Sequence, residues 1–260
     1  MIKSTNHIPE EITLKLTILG SGGSAVSAKR ACPCMLIDNE TLFDLGSGSL
    51  KNLITSKTDM NLLSKVFISH THADHITDLI SFLWTIQIGG RTASLDLYGP
   101  PNFRHVFDML LTCTSTPEGF FKFPLTIHEL NYNERVGSLR TARASHSIPT
   151  IAFRVDSSDA TFCYSADTIY SPEIVSLAKN VDLLLHEATF LDDQAPIADL
   201  TRHSTARSAG RTAREANAKR LVLFHIPPPN DHREKEFHDE ASSEFKGSVE
   251  IGHDLTSFNF

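Results

Sequence analysis

The chain has 260 residues, 40% hydrophobic and 21% charged, the balance of a soluble globular protein rather than a low-complexity or membrane-spanning one. With 24 Lys and Arg against 31 Asp and Glu the formal charge is −7, which leaves no global basic footprint for gripping nucleic acid through its phosphates. Cys32, Cys34, Cys113 and Cys163 are too few and too scattered for a disulfide framework, and the polar residues 1–7 lack the apolar core of a signal peptide, so a cytoplasmic location is expected.

In chain order, residues 14–19 alternate and are β-rich, predicting a strand that Gly20-Ser21-Gly22-Gly23 breaks into a loop. That run lacks the Lys-Ser/Thr of a nucleotide P-loop and reads as a tight turn. Residues 35–37 and 41–43 flank Asp38-Asn39-Glu40 as a hairpin, whose second strand delivers Asp44 into Leu45-Gly46-Ser47-Gly48. A helix is predicted over 49–57. Residues 65–69 predict a buried strand, and 76–86 a helix with apolar positions at Ile76, Leu79, Phe82, Leu83 and Ile86. A strand over 95–98 is stopped by Gly99-Pro100-Pro101, followed by a helix over 102–113 and a loop over 114–124. Residues 125–164 are mostly strand, with a turn at Ser157-Ser158-Asp159-Ala160. Helix 171–178, strand 181–185, helix 204–217, strand 220–224 and a charged helix within 233–245 complete the pattern. Strands and helices in both halves, with no linker between them, predict one layered α/β domain over 1–260.

The chemistry is concentrated in His70-Thr71-His72-Ala73-Asp74-His75, four ligand-type side chains in six positions at the end of a buried strand. Imidazoles this close repel one another once protonated and need desolvated partners, which a divalent metal supplies to neutral imidazole and carboxylate. His70 and His72, two apart on an extended segment, point the same way, whereas Asp74 and His75 lie past the strand end. One loop can thus serve two adjacent metals.

This string matches the HxHxDH signature, and from about residue 16 to 255 the chain resembles the metallo-β-lactamase superfamily. Asp44 in Phe43-Asp44-Leu45-Gly46-Ser47-Gly48 resembles the family's first motif, an Asp that orients the metal-binding loop. His146 in Ala144-Ser145-His146-Ser147 resembles the third motif, Asp167 in Tyr164-Ser165-Ala166-Asp167-Thr168 the bridging carboxylate, and His225 after Leu221-Val222-Leu223-Phe224 the last ligand. The resemblance implies a four-layer αββα sandwich with two divalent metal ions at one edge. The first would take His70, His72 and His146, the second Asp74, His75 and His225, with Asp167 and a water or hydroxide between them. Asp74 would also orient the attacking hydroxide. Zinc is the default for so His-rich a set, with manganese and iron as alternatives. Independently of the family, paired cations generate hydroxide near neutral pH and clamp charge that develops on a phosphoryl or acyl oxygen.

Two further strings, His186-Glu187-Ala188-Thr189 and His203-Ser204-Thr205, resemble the HEAT and HST motifs of ribonuclease Z, the tRNA 3′-processing endonuclease branch, and of its phosphodiesterase relatives. Tyr98-Gly99-Pro100-Pro101 and Ala166-Asp167-Thr168 fit the same branch. The leaving alkoxide of a phosphodiester needs a proton or a compensating charge, for which His203 is the candidate, with Glu187 as its orienting partner and His186 as a structural residue. Ser204 or Thr205 alternatively serves as a plain helix cap. By the same resemblance Lys29 and Arg30 are candidates to touch a substrate phosphate, against a default of solvated charge. The branch's long flexible arm is absent, since His146 and Asp167 are only 21 positions apart with one hairpin between them. The branch also implies a homodimer, for which the apolar helix 76–86 is a candidate surface, with core packing the alternative for it and for Trp84. Cys32 and Cys34 read as packing residues.

The leading reading is a dinuclear metal-dependent hydrolase, a phosphodiesterase or ribonuclease Z-like enzyme acting on a phosphodiester or other small hydrolysable substrate, with RNA unsupported by the net charge and no membrane partner. A same-fold hydrolase of ester, lactone or β-lactam carbonyls is the nearest alternative. A metal-bearing but inactive binding subunit is a third, against which the complete ligand set argues.

Overall fold

A computed structural model describes residues 14–158 and 160–260; the polar opening of the chain and Asp159 of the expected turn lie outside them. The first half supplies β1 (Lys15–Gly20), β2 (Cys34–Ile37), β3 (Thr41–Phe43), β4 (Lys65–Phe67), β5 (Leu95–Gly99) and β6 (Leu125–Glu129). The second supplies β7 (Arg135–Val136), β8 (Leu139–Arg143), β9 (Ile151–Asp156), β10 (Thr161–Tyr164), β11 (Leu183–Glu187), β12 (Arg220–Phe224) and β13 (Ser248–Ile251), and β14 (Ser257–Asn259) returns to pair antiparallel with β1. Among the described residues the strands form two sheets of seven, in the orders β14-β1-β2-β3-β4-β5-β6 and β13-β12-β11-β10-β9-β8-β7. The three-residue β2–β3 connection turns through Asp38 and Asn39, both left-handed (φ 49° and 56°), and Glu40 N donates back to Ile37 O.

Alternation along the strands separates three apolar layers. Phe43, Phe67, Ile18 and Met35 of the first sheet face Phe153, Phe162, Leu185 and Phe224 of the second. On the outer side of the first sheet Leu42, Val66 and Leu97 pack against α1 (Ser49–Thr55), α3 (Leu79–Ile88) and α4 (Phe103–Cys113). On the outer side of the second, Cys163, Leu184 and Leu221 pack against α5 (Pro172–Leu177), α7 (Ala206–Glu215) and α8 (Glu234–Glu244). The result is the four-layer αββα sandwich expected.

Three expectations change. The helix predicted over 76–86 is two pieces: a single turn, α2 (Ala73–Ile76), then α3. Asp78 separates them, because its backbone N–H donates to Leu45 O and its carboxylate accepts from Leu50 N, tying this point to the loop before α1 and to the first turn of α1. The apolar positions expected as an assembly surface, Leu79, Phe82, Leu83 and Ile86, are buried in the chain's own core, and Trp84 packs on Phe120 (4.2 Å) and donates to Thr116 Oγ1. A short helix before His203, α6 (Ala195–Thr201), escapes the periodicity because two of its apolar residues, Ile197 and Leu200, face solvent.

β3–β4 and β10–β11–β12 are parallel, so their carboxyl ends open at one edge of the sandwich. Three of these strands leave through a left-handed residue that is not glycine: Asp44 (φ 57°), Ala166 (φ 51°) and His225 (φ 66°). Each costs on the order of 1 kcal/mol and turns the chain sharply into the edge.

Candidate metal centre

The buried strand β4 ends at Phe67, and the extended residues after it carry His70 and His72, while Asp74 and His75 sit on the single turn α2. His146 comes from the β8–β9 connection, Asp167 follows β10, and His225 follows β12. The structure brings all seven together as two groups that share one carboxylate. His70, His72, His146 and Asp167 offer donor atoms within 4.8 Å of one another, as do Asp74, His75, Asp167 and His225. Asp167 Oδ2 is 3.5 Å from His70 Nε2, 3.3 Å from His75 Nε2 and 3.4 Å from His225 Nε2. It is also 4.0 Å from His146 Nε2 and 3.9 Å from His203 Nδ1.

A surrounding shell of hydrogen bonds decides which nitrogen of each ring faces inward. Asp44, fully buried, accepts from Ser69 N, Ser69 Oγ, Tyr164 OH and His75 Nδ1. Since the Ser69 hydroxyl proton goes to Asp44, its oxygen accepts from His70 Nδ1 at 3.0 Å. Thr189 Oγ1 likewise donates to Glu187 Oε2 and therefore accepts from His225 Nδ1 at 2.8 Å. His146 Nδ1 donates to the Arg202 carbonyl. In four rings, then, the shell engages Nδ1 and turns Nε2 toward the centre, the orientation of a ligating histidine.

Burial, with the His75 charge second, holds His70 well below the ordinary imidazole range, and burial lowers His72 and His146 as well, which keeps them neutral. For Asp167 burial works toward protonation, but the surrounding imidazoles, His225 first and then His75 and His70, outweigh it and hold the carboxyl well below its usual value. Asp74 is held down in the same way against burial, chiefly by its hydrogen bond to His225. His75 moves the other way: burial opposes its charge, yet Asp167 and Asp44 raise it well above normal, so a proton there balances carboxylates that a cation would otherwise balance. Among the described residues, His70 Nε2 and Asp167 Oδ1 are buried with no hydrogen-bond partner. Buried polar atoms rarely stay unpaired, and this donor set fits divalent cations.

Beside the two groups lies a dyad. His203 Nδ1 donates to Glu187 Oε1 at 3.0 Å, and the Glu187 carboxylate is further fixed by Thr168 N, Thr189 N and Thr189 Oγ1. Burial disfavours a charged His203, but the Glu187 charge and hydrogen bond, with Asp167, overcome it and push the imidazole up to about 9. Ser204 Oγ donates to Thr168 O, and Thr205 caps α7 by accepting from Ser208 N. His186 turns away from the centre, buried, with Nδ1 donating to Glu187 O.

Other candidates fall elsewhere. Arg30 is not available to substrate: it is buried, with Nε 3.0 Å from Asp231 Oδ1 and a terminal nitrogen 2.6 Å from Glu234 Oε1. Lys29 is exposed. Cys32 and Cys34 are buried, and burial pushes the Cys32 thiol up to about 11 and Cys34 well above normal, so neither is a thiolate ligand. No role is expected from the sequence for Ser69, Tyr164, Thr189 or the Arg202 carbonyl, although Tyr164 and Thr189 lie inside strings that carry the resemblance and Ser69 and Arg202 adjoin such strings.

A family profile, the Beta-lactamase superfamily domain, matches residues 40–226. The chain is 28% identical to a Ribonuclease Z of Myxococcus xanthus (strain DK1622), over 93% of this chain and 96% of that one. Among solved structures it is similar to the metallo-beta-lactamase fold protein YhfI from Bacillus subtilis (TM-score 0.81, 25% identity, covering 95% of this chain and 100% of that one). It is also similar to human tRNase Z, short form (TM-score 0.77, 24% identity, covering 94% and 98%).

Proposed function

The chain belongs to the beta-lactamase superfamily, and from that premise we propose that it is a metal-dependent phosphodiesterase of the ribonuclease Z type that cuts RNA. The observation that carries this reading is the His203–Glu187 pair beside the two His/Asp groups, because the leaving alkoxide of a phosphodiester needs a proton or a compensating charge. His70, His72 and His146 would hold one cation and Asp74, His75 and His225 the other, with Asp167 shared; zinc, two per chain, is the proposed loading. When bound, the cations supply a hydroxide at neutral pH and neutralise charge on the phosphoryl oxygens.

The chain's own residues do the rest. Asp44 and Thr189 orient the ligand rings. Asp74, whose Oδ2 also accepts from Ser24 N, is fixed to orient the attacking oxygen. His203 has its Nδ1 tied to Glu187, and its Nε2 makes no hydrogen bond among the described residues, so that edge is free to give a proton to the leaving oxygen. The edge of the sandwich and its loops form one catalytic domain over 1–260. No described helix is long and apolar enough to cross a membrane; a cytoplasmic location and a homodimer, through a surface other than α3, complete the proposal.

Elemental analysis with hydrolysis rates on bis-nitrophenyl phosphate, a lactone and a precursor tRNA tests the reading. About two divalent metals per chain and chelator-sensitive cleavage of the phosphodiesters are expected. Faster lactone than phosphodiester turnover would move the assignment to the carbonyl hydrolases, and no bound metal with no gain on adding zinc, manganese or iron would end it.

A further inference from the structure

Next to the centre a separate cavity of about 240 Å³ is lined by Arg143, Ser145, His146, Ser171, Glu173 and Arg202. It shares His146 with the first ligand group, so whatever fills it lies against a residue of the centre. The two arginines on it are unlike the other eleven in the chain. Arg30, Arg140, Arg154, Arg207, Arg211, Arg214, Arg220 and Arg233 bond carboxylates, and Arg91, Arg104 and Arg135 bond backbone carbonyls. Among the described residues only Arg143 and Arg202 donate no side-chain hydrogen bond and have no carboxylate within ion-pair distance. The guanidinium carbon of Arg143 lies 5.5 Å from the centroid of the Tyr132 ring, a face contact that takes up none of its N–H donors, and Arg202 is exposed.

Both are anchored by backbone that the site already uses. Arg143 ends β8, three residues before His146, and the Arg202 carbonyl accepts from His146 Nδ1. Glu173 is the one carboxylate on the cavity, kept below its usual range first by the Ser171 hydroxyl, with Arg143 contributing charge. Two cations and one anion sum to a single positive charge. That matches the single negative charge of a phosphodiester, and it is a poorer match for a terminal phosphate with two charges.

We propose that this cavity is a second phosphate subsite, in which Arg143 and Arg202 take a diester phosphate flanking the scissile one on an RNA strand. The proposal deepens the phosphodiesterase reading and rests on it for the identity of the strand. It also answers the charge problem: a molecule with a net charge of −7 holds nucleic acid through a local pair of unpaired guanidinium groups beside the cut rather than through a basic face.

The test is binding of a labelled short single-stranded oligoribonucleotide to the metal-free protein as a function of salt, for the wild type, R143A, R202A, the double alanine variant, and the lysine variants R143K and R202K. Each alanine substitution is expected to weaken binding roughly tenfold and to lower the salt slope by about 0.7, while lysine retains most of the slope. In the zinc-loaded protein the loss of kcat/KM on the oligonucleotide should exceed the loss on bis-nitrophenyl phosphate, which has no flanking phosphate, by at least tenfold. Unchanged affinity and slope in the double alanine variant, with circular dichroism showing it folded, would overturn the subsite. A wild type that binds the strand through these arginines yet cleaves no phosphodiester when loaded would overturn the functional reading and leave the subsite standing.

Discussion

His203 shows how one side chain acquires a role from its neighbours. An imidazole at this depth would normally be neutral, but Glu187 at 3.0 Å, itself fixed by Thr168 and Thr189, keeps a proton on the ring. If that proton goes to the leaving oxygen, His203→Ala leaves metal content intact and slows a phosphodiester with a poor leaving group by roughly 10²–10⁴-fold. A nitrophenyl ester, whose leaving group needs little help, loses much less. Parallel kinetics on the two substrates, with metal analysis of the variant, check this; equal losses would make His203 a positioning residue.

At the scale of elements the centre depends on how closely loops approach. A Cβ on Gly23 would sit 2.1 Å from His225 Nδ1, the atom that Thr189 holds. Gly23→Ala is therefore expected to displace the His225 ring and cost about 10–100-fold in metal affinity without altering any ligand, as competition titration with a chelating dye would show. Wild-type affinity in a folded G23A protein would mean the loop, and not the ring, gives way. Arg30 joins the same loop to the C-terminal part of the chain: besides Asp231 and Glu234 it donates to Ser21 Oγ and Gly252 O. Removing one partner of a buried pair leaves charge uncompensated, so Arg30→Ala should destabilise by about 3 kcal/mol in urea denaturation. Arg30→Lys should recover little of it, because an ammonium cannot reproduce the fork that reaches four acceptors. A cost below about 1 kcal/mol would show the network to be dispensable.

For the whole molecule, the centre joins the two halves of the sandwich. Its ligand residues follow strands of both sheets, and without cations it holds buried atoms with no hydrogen-bond partner. Cation binding to the folded state alone stabilises by about 4 kcal/mol at a thousandfold excess over Kd. For a chain of this length that raises the melting temperature by roughly 10 °C. Chelation followed by scanning fluorimetry should show that drop, reversed by adding zinc. An unchanged melting temperature after proven metal removal would mean that packing of the three apolar layers alone holds the halves together.

What the sequence determined by itself was whatever depends on near neighbours. The alternation of β1, the Asp38-Asn39 turn and the spacing of His70, His72, Asp74 and His75 follow from backbone geometry over a few residues. The order of Asp44, His146, Asp167 and His225 along the chain pointed to a centre only through a family pattern, since no local rule relates residues so far apart. Tertiary structure decided the rest. It split 76–86 at Asp78, because the partners Leu45 and Leu50 lie in the loop before α1 and in the first turn of α1, and it paired Arg30 with Asp231 and Glu234, more than two hundred residues away. It also left Arg143 and Arg202 unpaired on one cavity beside His146. Such contacts are set by sheet order and by which strand ends share an edge, information that periodicity does not carry.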